Sequence, residues 1–168
     1  MGAIISECGQ YRYLLTRETN LLLAEKPGAL FIMLNPSTAD ADLDDPTIRR
    51  CRAFATAWGC AGLAVANLYA YRATDPRELW RCADPVGPEN DQHLALLAAE
   101  YGDIVCAWGG HAKPERVAAV VSILHGTGAR LWCLGTNQDG SPKHPLYIRQ
   151  DQPLVEWQPP TPRAPLQR

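Results

Sequence analysis

The sequence predicts an α/β fold, a three-layer αβα sandwich around a central, mostly parallel four-stranded sheet. Three observations predict it. Four short apolar runs recur along the chain: Ala29 to Leu34, Leu63 to Asn67, Asp103 to Trp108 and Arg130 to Leu134. The segments between them place apolar residues at helical spacing, and each run ends in a polar or glycine-rich junction. Strands buried on both faces read as continuous apolar runs, and alternation with helices gives a parallel sheet covered on both sides.

Taken in order, residues 10–16 (QYRYLLT) have strand character and suit an edge strand, or a hairpin with what precedes them. The first apolar run stops at Asn35-Pro36, and residues 37–45 form a polar, Asp-rich loop. From Pro46 to Trp58, the residues Ile48, Cys51, Phe54, Ala55 and Trp58 trace one helical face, with Pro46 in the first turn and Gly59 as the stop. Residues 69–88 read as loop with one helical turn at 76–81. A second helix spans Glu89 to Tyr101, with Leu94, Leu97 and Ala98 inward. The third apolar run breaks at Gly109-Gly110 into a helix from Pro114 to Leu124. A long loop follows the fourth. Residues 1–157 form one domain on this reading and residues 158–168 a Pro-rich tail, a division that suits a chain of 168 residues.

Sixteen basic and 18 acidic side chains give a formal charge of −2, which excludes a strongly basic protein that coats nucleic acid by counterion release alone. The charge is unevenly spread. Residues 47–81 carry six Arg against Asp75 and Glu78, whereas the first 46 residues carry three basic and seven acidic side chains. A guanidinium fork suits phosphate, so the Arg-rich stretch is a candidate nucleic-acid surface, with a solvated helix face as its plain alternative. No apolar run reaches the roughly 18 residues of a membrane span and the N-terminus lacks a signal peptide, so a cytoplasmic protein is expected. The six cysteines have no CxxC pair and read as small buried hydrophobes, with no metal site expected.

Ligands in open α/β sheets bind beyond the carboxyl ends of the strands. Asn35, Asn67, the Gly109-Gly110-His111 turn and His144 all fall at those ends. An Asn amide matches the imide edge of a planar base, and a His can stabilise charge developing on a leaving base. Taken singly, Asn35 before a proline reads as a turn, Asn67 as a strand terminator and His144 as a surface residue.

Four segments in order resemble the uracil-DNA glycosylase superfamily, most closely its mismatch-specific and thymine-DNA glycosylase branch. Leu34-Asn35-Pro36-Ser37 matches G-[I/L]-N-P-[G/S], and the stretch from Asn67 through Arg72 to Pro76 loosely matches N-x-V-x-R-x-T-P. Residues 104–112 (IVCAWGGHA) match I-V-x-x-G-x-x-A, and His144-Pro145-Leu146-Tyr147 partly matches H-P-S. Within the superfamily the chain looks like an uncharacterised bacterial and phage family that carries N-P-S-T-A-D and P-x-H-P-L-Y.

The resemblance implies a monofunctional DNA glycosylase that flips a uracil or a modified or mismatched base and hydrolyses its N-glycosidic bond with water. On this implication Asn35 positions the water, His144 bonds the base carbonyl, and Asn67 reads the base edge. Phe54 or Trp58 stacks on the base, and Leu146 or Tyr147 wedges into the gap. Ser37, Thr38, Arg49, Arg72 and Lys143 contact DNA. The expected partner is DNA of either strandedness; no cofactor or membrane is called for, and a monomer suffices. The chain departs from the family pattern at Met33-Leu34, which lacks the preceding Gly, at Leu146 in place of Ser, and in the acidic loop of Asp40, Asp42, Asp44 and Asp45. That loop would repel phosphate, or would bring a carboxylate to the water or to a metal. The alternatives are an enzyme acting on a free nucleotide or nucleoside, which the net acidity favours, and a non-catalytic binder of modified bases or nucleic acid in phage-related biology. Salt-dependent DNA binding separates the nucleotide enzyme from the other two, and base release separates enzyme from binder.

Overall fold

The computed structural model describes residues 1–19, 22, 24–37 and 43–161. The four apolar runs form the parallel centre of the sheet: β3 (Lys26–Met33), β4 (Cys60–Asn67), β5 (Asp103–Cys106) and β6 (Arg130–Cys133) lie side by side in the order β4-β3-β5-β6. The crossovers are α1 (Pro46–Ala57), α2 (Asn90–Tyr101) and α3 (Pro114–Gly126). Residues 76–80 form a single 3-10 turn, where one helical turn was expected.

The sheet is larger and less parallel than the sequence predicts. It has seven strands, and three of its six pairings are antiparallel. Strands β1 (Gly2–Ile5) and β2 (Arg12–Glu18) form a hairpin that docks on the free edge of β4, while β7 (Val155–Glu156) adds to β6. The reason lies in the connections. Antiparallel neighbours need only a short turn rather than a helical crossover, so they leave no strand–helix alternation to read. The strand expected at residues 10–16, in a hairpin with what precedes it, is present as β2 paired with β1; its buried and partly buried residues are interspersed, so it does not read as one of the continuous apolar runs.

Alternation along the strands builds two cores. Phe31, Met33, Val65 and Val105 face α1 and meet Ile48, Cys51, Phe54 and Ala55. Leu30, Ile32, Ala66 and Ile104 face the other way and meet Leu94, Leu97 and Ala98 of α2 with Val120, Val121 and Leu124 of α3. Helices therefore cover both faces. Trp157 is buried and meets the Trp108 ring edge-on at 5.1 Å, which ties the chain after β7 to the end of β5. Cys51, Cys60, Cys106 and Cys133 are buried as expected, whereas Cys82 is partly exposed and Cys8 exposed. Among the described residues no helix is long and apolar enough to cross a membrane.

The chain runs from β3 outward to β4, then returns across β3 to β5 and continues to β6. The direction of winding therefore reverses between β3 and β5. Beyond the carboxyl ends of two such strands the connecting segments diverge to opposite faces and leave a crevice, the general ligand position in open α/β sheets.

Candidate functional site

A cleft of about 780 Å³ opens at that point. The segment after β3 and the segment after β4 keep pairing beyond the strands: the Leu68, Tyr69 and Ala73 amides donate to the Met33, Leu34 and Pro36 carbonyls at 2.9–3.0 Å. Asn90, fully buried at the start of α2, donates to the Asn67 and Leu68 carbonyls, and Arg116 Nε donates to Leu68 as well. After β5 the chain turns sharply at Gly109, whose φ of +76° disfavours any residue with a Cβ. The Gly109 amide donates to the Pro142 carbonyl at 2.9 Å and the Lys143 amide to the Gly135 carbonyl at 2.9 Å. These bonds fix the loop that carries His144 against the end of β5.

Asn35, Asn67 and His144 all line this one cleft. The Asn35 Nδ2 donates to the Ala73 carbonyl at 2.8 Å and the Pro36 carbonyl at 3.1 Å. Two carbonyl acceptors assign the amide orientation and use both its hydrogens, which leaves Oδ1 as an acceptor. Asn67 is the last residue of β4 and 98% buried; its side chain makes no hydrogen bond to another described residue. His144 caps the 3-10 turn Pro145–Tyr147: its Nδ1 accepts from the Leu146 amide at 3.2 Å. An accepting Nδ1 puts the proton of the neutral ring on Nε2. Burial holds the His144 pKa below the usual histidine value, and Asp45 pulls weakly the other way. The ring is thus a neutral Nε2–H donor at pH 7.

Asp45 and Arg12 also line the cleft, and sequence reasoning did not single out Arg12. Asp45 caps α1: Oδ1 accepts from the Ile48 amide at 2.8 Å and Oδ2 from the Ser37 hydroxyl at 3.0 Å. Of the acidic loop, Asp45 therefore reaches the site, Asp44 pairs with Arg17 and Arg52, and Asp40 and Asp42 lie outside the described residues. Arg12 is 4% exposed, and burial lowers its pKa to about 10, helped by the neighbouring charge of Arg72 and opposed by that of Asp45. It remains a cation at neutral pH. The available signal was a charged residue in the otherwise apolar and aromatic strand segment YRYLL.

The remaining expected residues divide. Ser37, Lys143, Leu146 and Tyr147 line the cleft, with Tyr147 88% exposed at its rim. The Ser37 hydroxyl hydrogen is committed to Asp45 and is not offered to phosphate. Thr38 lies outside the described residues. Phe54 and Trp58 do not reach the cleft. Phe54 is fully buried in the α1 core and Trp58 stacks on Phe31 at 5.6 Å, because the apolar stripe of α1 faces the sheet and only the N-terminus of that helix faces the site. The aromatic rings that line the cleft are Trp108 and Tyr147. Arg49 is exposed on α1 and Arg72 bonds the Gly9 carbonyl at 3.1 Å; neither lines the cleft.

The family model described as "Protein of unknown function (DUF1643)" matches residues 12–146. The chain belongs to this family. No curated protein and no solved structure matches it. The span matched to the DUF1643 family begins at Arg12 and ends at Leu146, two residues of the cleft, and leaves out β1 and β7.

Proposed function

We propose that this cleft hydrolyses the N-glycosidic bond of a uracil or a modified or mismatched base flipped from DNA. One observation carries the reading: a fixed acceptor, Asn35 Oδ1, and a fixed neutral donor, His144 Nε2–H, belong to one cleft with the amide of Asn67. Hydrolysis of such a bond needs both. Water oriented by Asn35 Oδ1 presents a lone pair to the sugar C1′ as the bond to the base lengthens. The bonding electrons pass to the base, and the charge that develops on its carbonyl oxygen is met by His144 Nε2–H. Asn67 pairs with the imide edge. The water oxygen keeps C1′ and loses a proton, while the departing base gains one, so no enzyme-bound intermediate is needed. The resemblance of the four motifs supports the same roles, and the exposed Tyr147 at the rim suits a side chain that enters the gap left by the flipped base.

A second reading, the same hydrolysis on a free nucleotide, is favoured by a specific observation. Within the Arg-rich segment, Arg52 pairs with Asp44, Arg77 pairs with Asp75 at 2.8 Å, and Arg50 and Arg72 bond backbone carbonyls. Much of the expected basic surface is thus already engaged, and none of it lines the cleft.

Both readings are tested by incubating the protein with single- and double-stranded oligonucleotides that contain uracil, hypoxanthine, xanthine or hypermodified bases, and with deoxyuridine 5′-phosphate, with free base read by mass spectrometry. Base release is expected from at least one substrate, and Asn35→Ala or His144→Ala should slow it by about 100-fold or more. Binding without release from any substrate would leave a base-binding protein. Release untouched by both substitutions would remove this cleft from the chemistry.

A further inference from the structure

Three arginines of the described chain are more than nine-tenths buried: Arg12, Arg17 and Arg116. A buried guanidinium is costly unless a counter-charge and hydrogen bonds replace its water. Two of the three obey this rule. Arg17 Nε meets Asp44 at 2.6 Å and its Nη1 meets the Thr16 carbonyl at 2.9 Å. Arg116 meets Asp91 at 2.7 Å and the Leu68 carbonyl at 2.8 Å. Arg12 does not: its guanidinium makes no ion pair or hydrogen bond with a described residue, and its Nε is wholly enclosed. It also differs in place, because Arg12 lines the cleft whereas Arg17 and Arg116 do not.

Among the described residues no charge pairs directly with Arg12. Arg72 and Arg17 lie close enough to add positive potential. Asp45 is the acidic group that opposes them, and its two oxygens already accept from Ile48 and Ser37. The backbone under the side chain is rigid: the Arg12 amide donates to the Ala70 carbonyl at 2.9 Å, next to the Tyr11–Tyr71 bridge. A buried guanidinium that makes no ion pair or hydrogen bond among the described residues and faces a cleft is a prepared receptor for an oxyanion with two acceptor atoms.

We propose that Arg12 is the phosphate subsite of this cleft and takes a phosphate oxygen pair of the nucleotide whose base lies toward Asn67 and His144. The inference rests on the reading that the cleft accepts a nucleotide. A phosphate oxyanion reaches this position from two sources, the terminal phosphate of a free nucleotide or the phosphodiester of a strand. Arg12 then gives a sequence-independent hold at the site itself, beside Lys143 of the same cleft, in a chain with net charge −2 and a largely engaged Arg-rich segment.

The test measures thermal unfolding and calorimetric binding of the full chain, as wild type, Arg12→Gln and Arg12→Lys. The probes are inorganic phosphate, deoxyuridine, deoxyuridine 5′-phosphate and a short uracil-containing single strand. Phosphate should raise the wild-type Tm and leave that of Arg12→Gln unmoved. At least one phosphorylated probe should bind wild type about tenfold or more tightly than deoxyuridine does, and Arg12→Gln should abolish that advantage. An advantage confined to the monophosphate assigns a free nucleotide, and one confined to the strand assigns the phosphodiester. Without ligand, Arg12→Gln should be as stable as wild type or more so, because it removes an uncompensated buried charge. If Arg12→Gln does not fold, Arg12 is a structural residue and the proposal fails. The proposal also fails if phosphate shifts wild type and Arg12→Gln equally, or if phosphorylated and unphosphorylated probes bind alike. Arg12→Lys should keep part of the Tm shift, since it keeps the charge and loses the fork. Arg12-dependent binding without release of base would sustain the subsite and refute the hydrolase.

Discussion

The two ends of strand β2 each bury an arginine, and they do so on opposite terms. At the far end Arg17 is neutralised by Asp44, which Arg52 also approaches at 3.5 Å, so that end is a closed structural joint between the sheet and the start of α1. At the near end Arg12 is just as buried but faces the cleft with no ion pair to a described residue, Asp45 acting on it only from a distance. Burial alone therefore does not mark function. What marks it is a buried charge without an ion pair among the described residues, at the switch point of the sheet.

The comparison can be broken most forcefully from the core. Phe54→Ala should cost about 3–5 kcal/mol of unfolding free energy, measured by urea titration, because it empties a fully enclosed site between α1 and the sheet. Its activity per folded molecule should survive. If instead Phe54→Ala abolished base release in folded protein, the ring would have a role in the cleft that its position does not give it.

Arg17→Met should come next, at about 2–4 kcal/mol, somewhat below a fully buried pair because Asp44 is 18% exposed and keeps Arg52. The same titration on Arg12→Met should show no loss. Equal destabilisation by the two substitutions would erase the difference between the two ends.

A smaller effect follows pH. The His144 pKa is lowered by burial, so the unfolded chain takes up that proton near pH 6.5 before the folded chain does. Stability from the neutral ring is whole above pH 6.5 and declines as pH falls below it. The Tm advantage of wild type over His144→Gln should therefore shrink between pH 7 and pH 5, while base release should fall only with a midpoint below pH 6.5. A loss of activity with a midpoint at or above 6.5 would contradict the neutral donor. Smallest of all, Tyr147→Ala should change stability by no more than about 0.5 kcal/mol, since the ring is 88% exposed. It should weaken release from double-stranded substrates more than from single strands.

The parallel half of the molecule was legible because its signals are local. Ala29–Leu34 and Leu63–Asn67 are largely apolar on both faces, so they mark their own burial, and the helix from Pro46 carries its first-turn proline and its apolar stripe within twelve residues. Of the antiparallel additions, the hairpin was legible in the strand character of residues 10–16, whereas a two-residue strand such as Val155–Glu156 has no pattern of its own and exists through its pairing with β6. In the cleft, Asn35, Asn67 and His144 were legible from their places after apolar runs. The role of Phe54 was misjudged because a helical stripe shows which residues are buried, not that the stripe faces the sheet rather than the site. Arg12 escaped because its meaning depends on what is missing around it in space, which no spacing along the chain expresses.

The measurement closest to the central claim is single-turnover release of free base at pH 7 from the best substrate of the panel, compared between wild type and His144→Gln at equal concentrations of folded protein. Release by wild type with a loss of about 100-fold or more in His144→Gln is expected from a cleft whose neutral imidazole meets the departing base. Equal release by both proteins, or none by wild type from any base in any strand or nucleotide, would contradict it.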